Sequence, residues 1–324
     1  MKNKKNDNVL IFGMENSKEL ADDIGKFLKR EIIPVQRTIF SDGESLLYSD
    51  TTVRNKTVFV ICNTSKPVND NMMNLLIFID SLKRASAKRI ICVLTYYGYS
   101  RQDRKSSGRQ PITAKLVADL LEVSGVDKLI TIDLHNPSIQ GFFNIPVDDL
   151  RGRFIFSNEL RKRKEKFVIV SPDHGGAVRA RQLSELLNKE DQIAIIDKRR
   201  TAPNVSEIMG VLGNVHNQNV IIYDDIIDTG GTILNAAKVL KEQGAKKIVI
   251  AATHGLFSRG FEMFENSEII DEVIITNSIA HSNLKHFTKL RELSMAEFLG
   301  KVIEANIQNT SITEIYDAYS SQDS

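Results

Sequence analysis

The chain has 324 residues and sets 43 Lys and Arg against 41 Asp and Glu, a formal charge of +2. Such a balance gives no general attraction for a polyelectrolyte, so a nucleic-acid partner would need its positive charge gathered on one face, and none is expected. The length suffices to bury a substantial core in one large or two ordinary domains. No apolar run approaches a membrane span, and the opening stretch MKNKKNDN is polar and basic with no apolar signal core after it, so no membrane partner is expected and the cytoplasm is the default location.

In chain order, NVLIFG reads as a strand, followed by a helix with Leu20, Ile24, Phe27 and Leu28 on one face. TVFVIC and a helix through Leu75, Leu76, Ile79 and Leu82 come next; then RIICVLTYY, a helix carrying Ile112, Leu116, Leu120 and Leu121, and KLITID. A loop-rich stretch around Pro137, Gly141 and Pro146 separates this series from a second one. The second series is FVIVSPD and a helix, QIAIID and a loop, NVIIYDD and a helix, KIVIAATH and a short helix, EVIITNS, and a last helix from about Ser294.

Alternating strands and helices predict an α/β protein with parallel sheets. The predicted organisation is two similar domains, 1–150 and 151–324, each with a mostly parallel central sheet flanked by helices. No repeat is visible at the level of identical residues, and only the tail SSQDS reads as disordered. Cys62 and Cys92 lie within apolar strands and read as small buried thiols, which suits a reducing compartment. The basic run Arg161 to Lys164, flanked by Glu159 and Glu165, reads as a solvated helix face.

The segment VIIYDDIIDTGGTI, residues 220–233, carries chemistry. A buried strand, Val220 to Ile222, leads through aspartates and glycines into a helix whose apolar face holds Ile233, Ala237 and Leu240. Unpaired N–H groups and the positive end of the helix dipole attract an anion there, and Gly230 and Gly231 allow close backbone approach. Thr229 and Thr232 add hydroxyl donors. The carboxylates of Asp224, Asp225 and Asp228 would repel a bare phosphate and need hydroxyls or a metal ion as partners. A sugar phosphate supplies both kinds of group; a plain magnesium site is the alternative.

With four further segments, the sequence resembles a known family. FSDGE at 40–44, YYGYSRQDRK at 96–105, DLHNPSIQGFFNIPVDDL at 133–150, and IVSPDHGGAVRARQL through IDKRRTAPN, together with the opening loop, are similar to ribose-phosphate pyrophosphokinase. The resemblance runs in order from about Leu10 to about Thr276. It implies Mg2+-dependent transfer of the diphosphoryl group of ATP to the 1-hydroxyl of ribose 5-phosphate, giving phosphoribosyl pyrophosphate and AMP for nucleotide biosynthesis.

The resemblance also implies roles. Phe40, Asp42, Gly43 and Glu44 form an adenine-binding loop that reaches the active site of a neighbouring subunit, so the active form would be a homo-oligomer, a hexamer by resemblance. Arg101, Gln102 and His135 bind ATP. Asp173 and His135 belong to the magnesium region, with Asp173 the more direct ligand, as the oxygen preference of Mg2+ suggests. Lys198 and Arg200 lie on a mobile flap that brings cations to the transition state. Arg200, Asp224, Asp225, Asp228 and the run Thr229, Gly230, Gly231, Thr232 bind ribose 5-phosphate, the first two aspartates at the 2- and 3-hydroxyls and the run at the 5-phosphate. His174 adjoins the metal region; His216, His254, His281 and His286 read as structural or surface residues.

Two departures bear on regulation. The family usually has a further arginine where this chain has Ser107, and the usual serine-rich, aromatic tail is here SITEIYDAYSSQDS; Arg54 stands where the family has an interface arginine. A phosphoribosyltransferase would share the glycine loop without FSDGE, RQDRK and DLH in order. A non-catalytic regulatory relative would be expected to lose Lys198 and Arg200. A transcriptional regulator would need a basic DNA-binding domain, for which little chain precedes Val9.

Overall fold

A computed structural model describes residues 8–187, 193–202, 205–281 and 283–320; for 198–202 and 205–209 it describes the backbone alone. Two compact units divide the chain: one runs to Arg151 and is completed by Ser278–Ala280 and Met295–Thr310, and the other holds Gly152–Asn277, His281–Ser294 and the residues from Ser311 onward.

The first unit contains β1 (Val9–Gly13), α1 (Lys18–Leu28), β2 (Ile33–Pro34), the strands β3 (Gln36–Ile39) and β4 (Ser45–Tyr48), β5 (Thr57–Cys62), α2 (Val68–Arg84), β6 (Arg89–Leu94), α3 (Thr113–Ser124), β7 (Lys128–Ile132) and β8 (Val147–Leu150). Its sheet has the order β2-β1-β5-β6-β7-β8 with every pair parallel, while β3 and β4 form a separate antiparallel hairpin. Strands of a parallel sheet are covered on both faces, which is why TVFVIC and RIICVL are apolar without alternation and buried beyond their first residues. Cys62 and Cys92 lie buried on neighbouring strands with sulfurs 3.7 Å apart, and burial raises the Cys62 thiol well above its ordinary pKa.

The second unit contains α4 (Arg153–Arg161), β9 (Phe167–Ser171), α5 (Ala177–Leu186), β10 (Ile193–Ala202), β11 (Val205–Leu212), β12 (Asn219–Ile227), α6 (Gly231–Glu242), β13 (Lys247–Gly255), α7 (Glu262–Glu265), β14 (Glu272–Thr276) and β15 (Leu290–Leu293). The sheet order is β11-β10-β9-β12-β13-β14-β15, parallel throughout except for the β10–β11 pair. Two helices follow, α8 (Ala296–Gln308) and α9 (Thr313–Ser320). Helix α8 packs on α1 in the first unit: a Cβ at Gly300 would come 2.3 Å from the Phe27 ring. In the second unit the Tyr316 ring of α9 stacks on Phe154 of α4. The units are thus discontinuous in sequence, which the order of strands alone does not disclose.

Four features differ from expectation. Helix α3 buries Ala114, Val117, Ala118 and Leu121, leaving Ile112, Leu116 and Leu120 exposed. The basic run is a solvated face only at Lys162 and Lys164, which are exposed: Arg163 forks onto Glu272 at 2.6 and 2.8 Å, and Arg161 donates to the carbonyls of Leu186, Tyr319 and Ser320. Strand β12 continues through Asp224 and Asp225, so these aspartates belong to the sheet. The stretch after QIAIID is the antiparallel β10–β11 hairpin, where a loop was expected. Among the described residues no helix is long and apolar enough to cross a membrane.

Candidate active site

In the second unit α5 leads from β9 to β10 on one side, and α6 leads from β12 to β13 on the other. The crevice at the carboxyl ends of β9 and β12 is therefore the point where strand order reverses, the usual ligand position in an open α/β sheet. Asp173 follows β9 there, while Asp224, Asp225 and the 228–232 loop end β12.

Arg179, on the first turns of α5, organises the aspartates: its Nη1 lies 2.8 Å from Asp224 Oδ1 and 3.0 Å from Asp225 Oδ1. Asp224 Oδ1 also accepts the Asp225 N–H at 2.9 Å. Burial pushes the Asp224 carboxyl well above its ordinary range, the neighbouring Asp225 adds to that, and Arg179 opposes it. The pair can thus accept hydrogen bonds from two adjacent hydroxyls, with one cation limiting their repulsion. Arg179 is the functional candidate that motif reading missed; a buried carboxylate pair at a switch point calls for a cation from the neighbouring helix, and GGAVRARQL supplies two arginines.

Gly230 has φ +81°, and a Cβ there would lie 2.6 Å from Phe264 Cζ and 2.8 Å from Met263 Sδ, so both backbone and space require glycine. Gly231 opens α6 with nothing within 4 Å of its Cβ position, and Thr229 and Thr232 are exposed beside it. The loop thus offers open N–H groups at the start of a 12-residue helix. Asp228 accepts a hydrogen bond from the Ser258 hydroxyl.

Asp173 caps the turn into α5 by accepting the Gly176 N–H at 3.0 Å on Oδ1, and is exposed. His174 Nε2 sits 2.9 Å from Asp197 Oδ1, joining this turn to β10. Lys198 and Arg200 pair through their backbones with Ile208 and Ser206 of β11; their side chains lie outside the described residues.

In the first unit, Arg101 and Gln102 follow β6 and His135 follows β7, all three exposed. The two loops are tied by Asn136, whose amide donates to Asp103 at 2.6 Å. Gln102 is held from both ends: its N–H donates to Tyr99 O, and its side-chain oxygen accepts from the Thr113 hydroxyl at 2.6 Å. Behind His135, Asp149 accepts the Leu134 N–H at 3.1 Å and pairs with Arg151 at 2.6 Å; burial raises its carboxyl to about 6.

The third group forms the β3–β4 turn. Asp42 Oδ1 accepts the Glu44 N–H at 3.0 Å, Gly43 takes φ +94°, and Phe40 is 47% exposed. An aromatic held out from a rigid turn is suited to stacking on a planar ligand. The first-unit candidates therefore stand in two places, the loops after β6 and β7 and this turn.

Among the described residues no three His, Cys, Asp or Glu cluster as a ready metal cage. Mg2+ fits such a donor set, since it is bound by one or two carboxylates together with waters and substrate phosphate oxygens.

Parallel sheets, an anion-binding helix start and a carboxylate pair at a switch point define an α/β enzyme of the phosphoribosyl-handling class. Two family models match, the N-terminal domain of ribose phosphate pyrophosphokinase over residues 9–125 and the phosphoribosyl synthetase-associated domain over 169–317. The ribose-phosphate pyrophosphokinase of Mycoplasmopsis pulmonis is 56% identical over 96% of this chain and 97% of its own; that of Listeria ivanovii is 46% identical over 95% and 96%. The crystal structure of phosphoribosylpyrophosphate synthetase from Mycobacterium smegmatis superposes with a TM-score of 0.87 at 38% identity, covering 93% of this chain and 99% of the other. The chain belongs to the ribose-phosphate pyrophosphokinase family. It is an enzyme, a transferase of the pyrophosphokinase kind that forms phosphoribosyl pyrophosphate from ribose 5-phosphate in nucleotide biosynthesis.

Proposed function

We propose that the enzyme transfers the diphosphoryl group of ATP to the 1-hydroxyl of ribose 5-phosphate with Mg2+, releasing AMP. The observation that carries the reading is the β12–α6 segment, where a diol-accepting carboxylate pair and a helix-start anion seat follow one another in one turn of chain. Asp224 and Asp225 hold the 2- and 3-hydroxyls, and Thr229 to Thr232 hold the 5-phosphate. Asp228 lies beside the sugar.

ATP lies against Arg101, Gln102 and His135, with its base stacked on Phe40 and hydrogen-bonded by Asp42 and Glu44. The exposure of Phe40 on a projecting turn supports its donation to a neighbouring subunit, hence a homo-oligomer, a hexamer by family likeness. Asp173, with His135, would hold Mg2+, which when bound neutralises phosphate charge and polarises the transferring phosphorus. Lys198 and Arg200 bring fixed positive charge to the transition state, and exclusion of water by the β10–β11 hairpin favours transfer over hydrolysis.

The test incubates the protein with MgCl2, ATP and ribose 5-phosphate and follows AMP and phosphoribosyl pyrophosphate, with sedimentation of the same sample. One AMP per product molecule is expected, and the Asp224→Ala, Asp225→Ala double variant raises KM for ribose 5-phosphate more than that for ATP. Release of ADP in place of AMP overturns the reaction assigned, and a larger change for ATP moves the sugar elsewhere.

A further inference from the structure

The first unit has a switch point of its own. Helix α1 carries the chain from β1 to β2 on one side and α2 carries it from β5 to β6 on the other, so the crevice lies between the carboxyl ends of β1 and β5. None of the nucleotide-binding candidates follows either strand. A cavity of about 150 Å³ lies instead beside the carboxyl end of β1, walled by the loop after β1, by the first turns of α1, by β2, by the first turns of α2 and by the β3–β4 hairpin.

The walls are of two kinds. Met14, Ile33, Val35 and Leu47 are apolar, while α2 contributes the carboxamides of Asn71 and Asn74. Asn71 is partly engaged, donating to the Ser65 carbonyl at 2.8 Å. Asn74 is 7% exposed, and it lines the cavity. A carboxamide on a largely apolar cavity wall offers one donor and one acceptor to a ligand that fills the space. At the rim, Lys18 and Arg37 are balanced by Glu15 and Asp22, so the site carries no net charge and an anionic ligand gains nothing over a neutral one.

We propose that this cavity binds a neutral, single-ring heterocycle with an amide-type edge, of the pyrimidine-base kind. The size argues for one ring, since an apolar cavity of about 150 Å³ accepts a single benzene ring. The edge follows from Asn74, whose N–H donor and C=O acceptor side by side complement the adjacent C=O and N–H of such a ring. A second consequence rests on the reading that the 40–44 turn binds ATP. Arg37 and Leu47 belong to the hairpin that carries this turn, so a ring lodged between α2 and the hairpin braces it and lowers KM for ATP while leaving KM for ribose 5-phosphate unchanged.

The test titrates uracil and cytosine by calorimetry into the full-length protein saturated with ATP in the absence of ribose 5-phosphate, which closes the nucleotide site to the probes. The wild type is expected to show saturable binding, weakened at least about tenfold in Asn74→Leu, which keeps the side-chain volume and removes the amide. Asn74→Leu is expected to melt no lower than the wild type. If it fails to fold, Ile33→Phe, which fills the cavity, is expected to abolish binding. Equal binding to wild type and variant, no saturation up to the solubility of the bases, or toluene binding as tightly as uracil overturns the site. Preference for adenine over both pyrimidines overturns the one-ring assignment. Binding with no change in KM for ATP overturns the coupling, and because binding is measured without turnover, it stands or falls apart from the reaction assigned above.

Discussion

Replacing Arg179 with methionine keeps most of the stem and removes the guanidinium that joins Asp224 and Asp225. Its Nη1 reaches both carboxylates, at 2.8 and 3.0 Å, and Asp225 is 2% exposed. A hydrogen bond to a charged group contributes about 1.5–3 kcal/mol. Arg179 and Asp224 retain 23% and 22% side-chain exposure, which favours the lower part of that range. A loss of about 2 kcal/mol, at 1.36 kcal/mol per decade, is about 30-fold in kcat/KM for ribose 5-phosphate. The loss is expected mainly in KM, because carboxylates that hold the sugar hydroxyls, as proposed, would do so in ground state and transition state alike.

The pH profile moves as well. Asp224 already titrates above its ordinary range through burial and Asp225, and Arg179 is the influence holding it down. Without the guanidinium the carboxyl rises further, so the acid limb of kcat/KM shifts to higher pH. The assay is steady-state AMP release with ribose 5-phosphate varied at each pH, alongside circular dichroism to establish folding. A folded variant within about threefold of wild type, with the acid limb unmoved, would refute the assignment of the pair to the sugar.

Gly230→Ala meets a left-handed backbone and a Cβ 2.6 Å from the Phe264 ring, and is expected to cost about 2–4 kcal/mol, read as a lower denaturation midpoint. Asp149 has its carboxyl raised to about 6 from 3.8, so the folded state holds the proton more tightly than the unfolded one. Its ionisation therefore removes stability as pH rises from about 4 to about 6, by up to about 3 kcal/mol, and Asp149→Asn flattens that part of a denaturation-versus-pH curve. Phe40→Ala, at a position 47% exposed, is expected to raise KM for ATP with little effect on melting or on KM for ribose 5-phosphate. Lys198→Ala is expected to lose most turnover with the fold retained; near-normal AMP release rejects its catalytic role.

Buried parallel strands were legible because a strand covered on both faces must be apolar throughout, and VLIFG, TVFVIC, RIICVL and KLITI each read so. Helix faces were less legible. In α3 Leu116 and Leu120 lie on the exposed side, while Leu121 is buried with Ala114, Val117 and Ala118, and small residues give a weak apolar signal. Arg161 and Arg163 looked like solvent because a run of charges shows no partners in sequence; Glu272 and the carbonyls of α9 lie more than a hundred residues away. For the same reason the glycine loop and the aspartates could be proposed from local sequence, whereas Arg179 needed the geometry of two strands and two helices. The Asn74 cavity gave no sequence signal, since an asparagine within a helix is ordinary until it is seen to line a cavity.

The stretch Asp197 to Ala202 shows how polar composition hides a strand. Strand β10 pairs with β9 only from Ile193 to Ile195; beyond that its sole ladder is with β11, which is the last strand of the sheet. From Ile196 onward the two strands form a ribbon with no sheet neighbour, and a two-stranded ribbon by itself has marginal stability in water. No sheet face covers it, so no apolar alternation is imposed on DKRRTAPN and the sequence reads as a loop. The ladder shifts register twice, between Asp197 and Lys198 and between Arg200 and Ala202, bracketing Lys198 and Arg200. Bulges bend a strand and redirect its side chains, and they concentrate at sheet edges and beside active sites. A ribbon anchored by three residues of parallel ladder and bent on either side of its cations has the construction a closing flap requires, and that construction, more than the tetrapeptide DKRR, is the physical reason to place transition-state charge there.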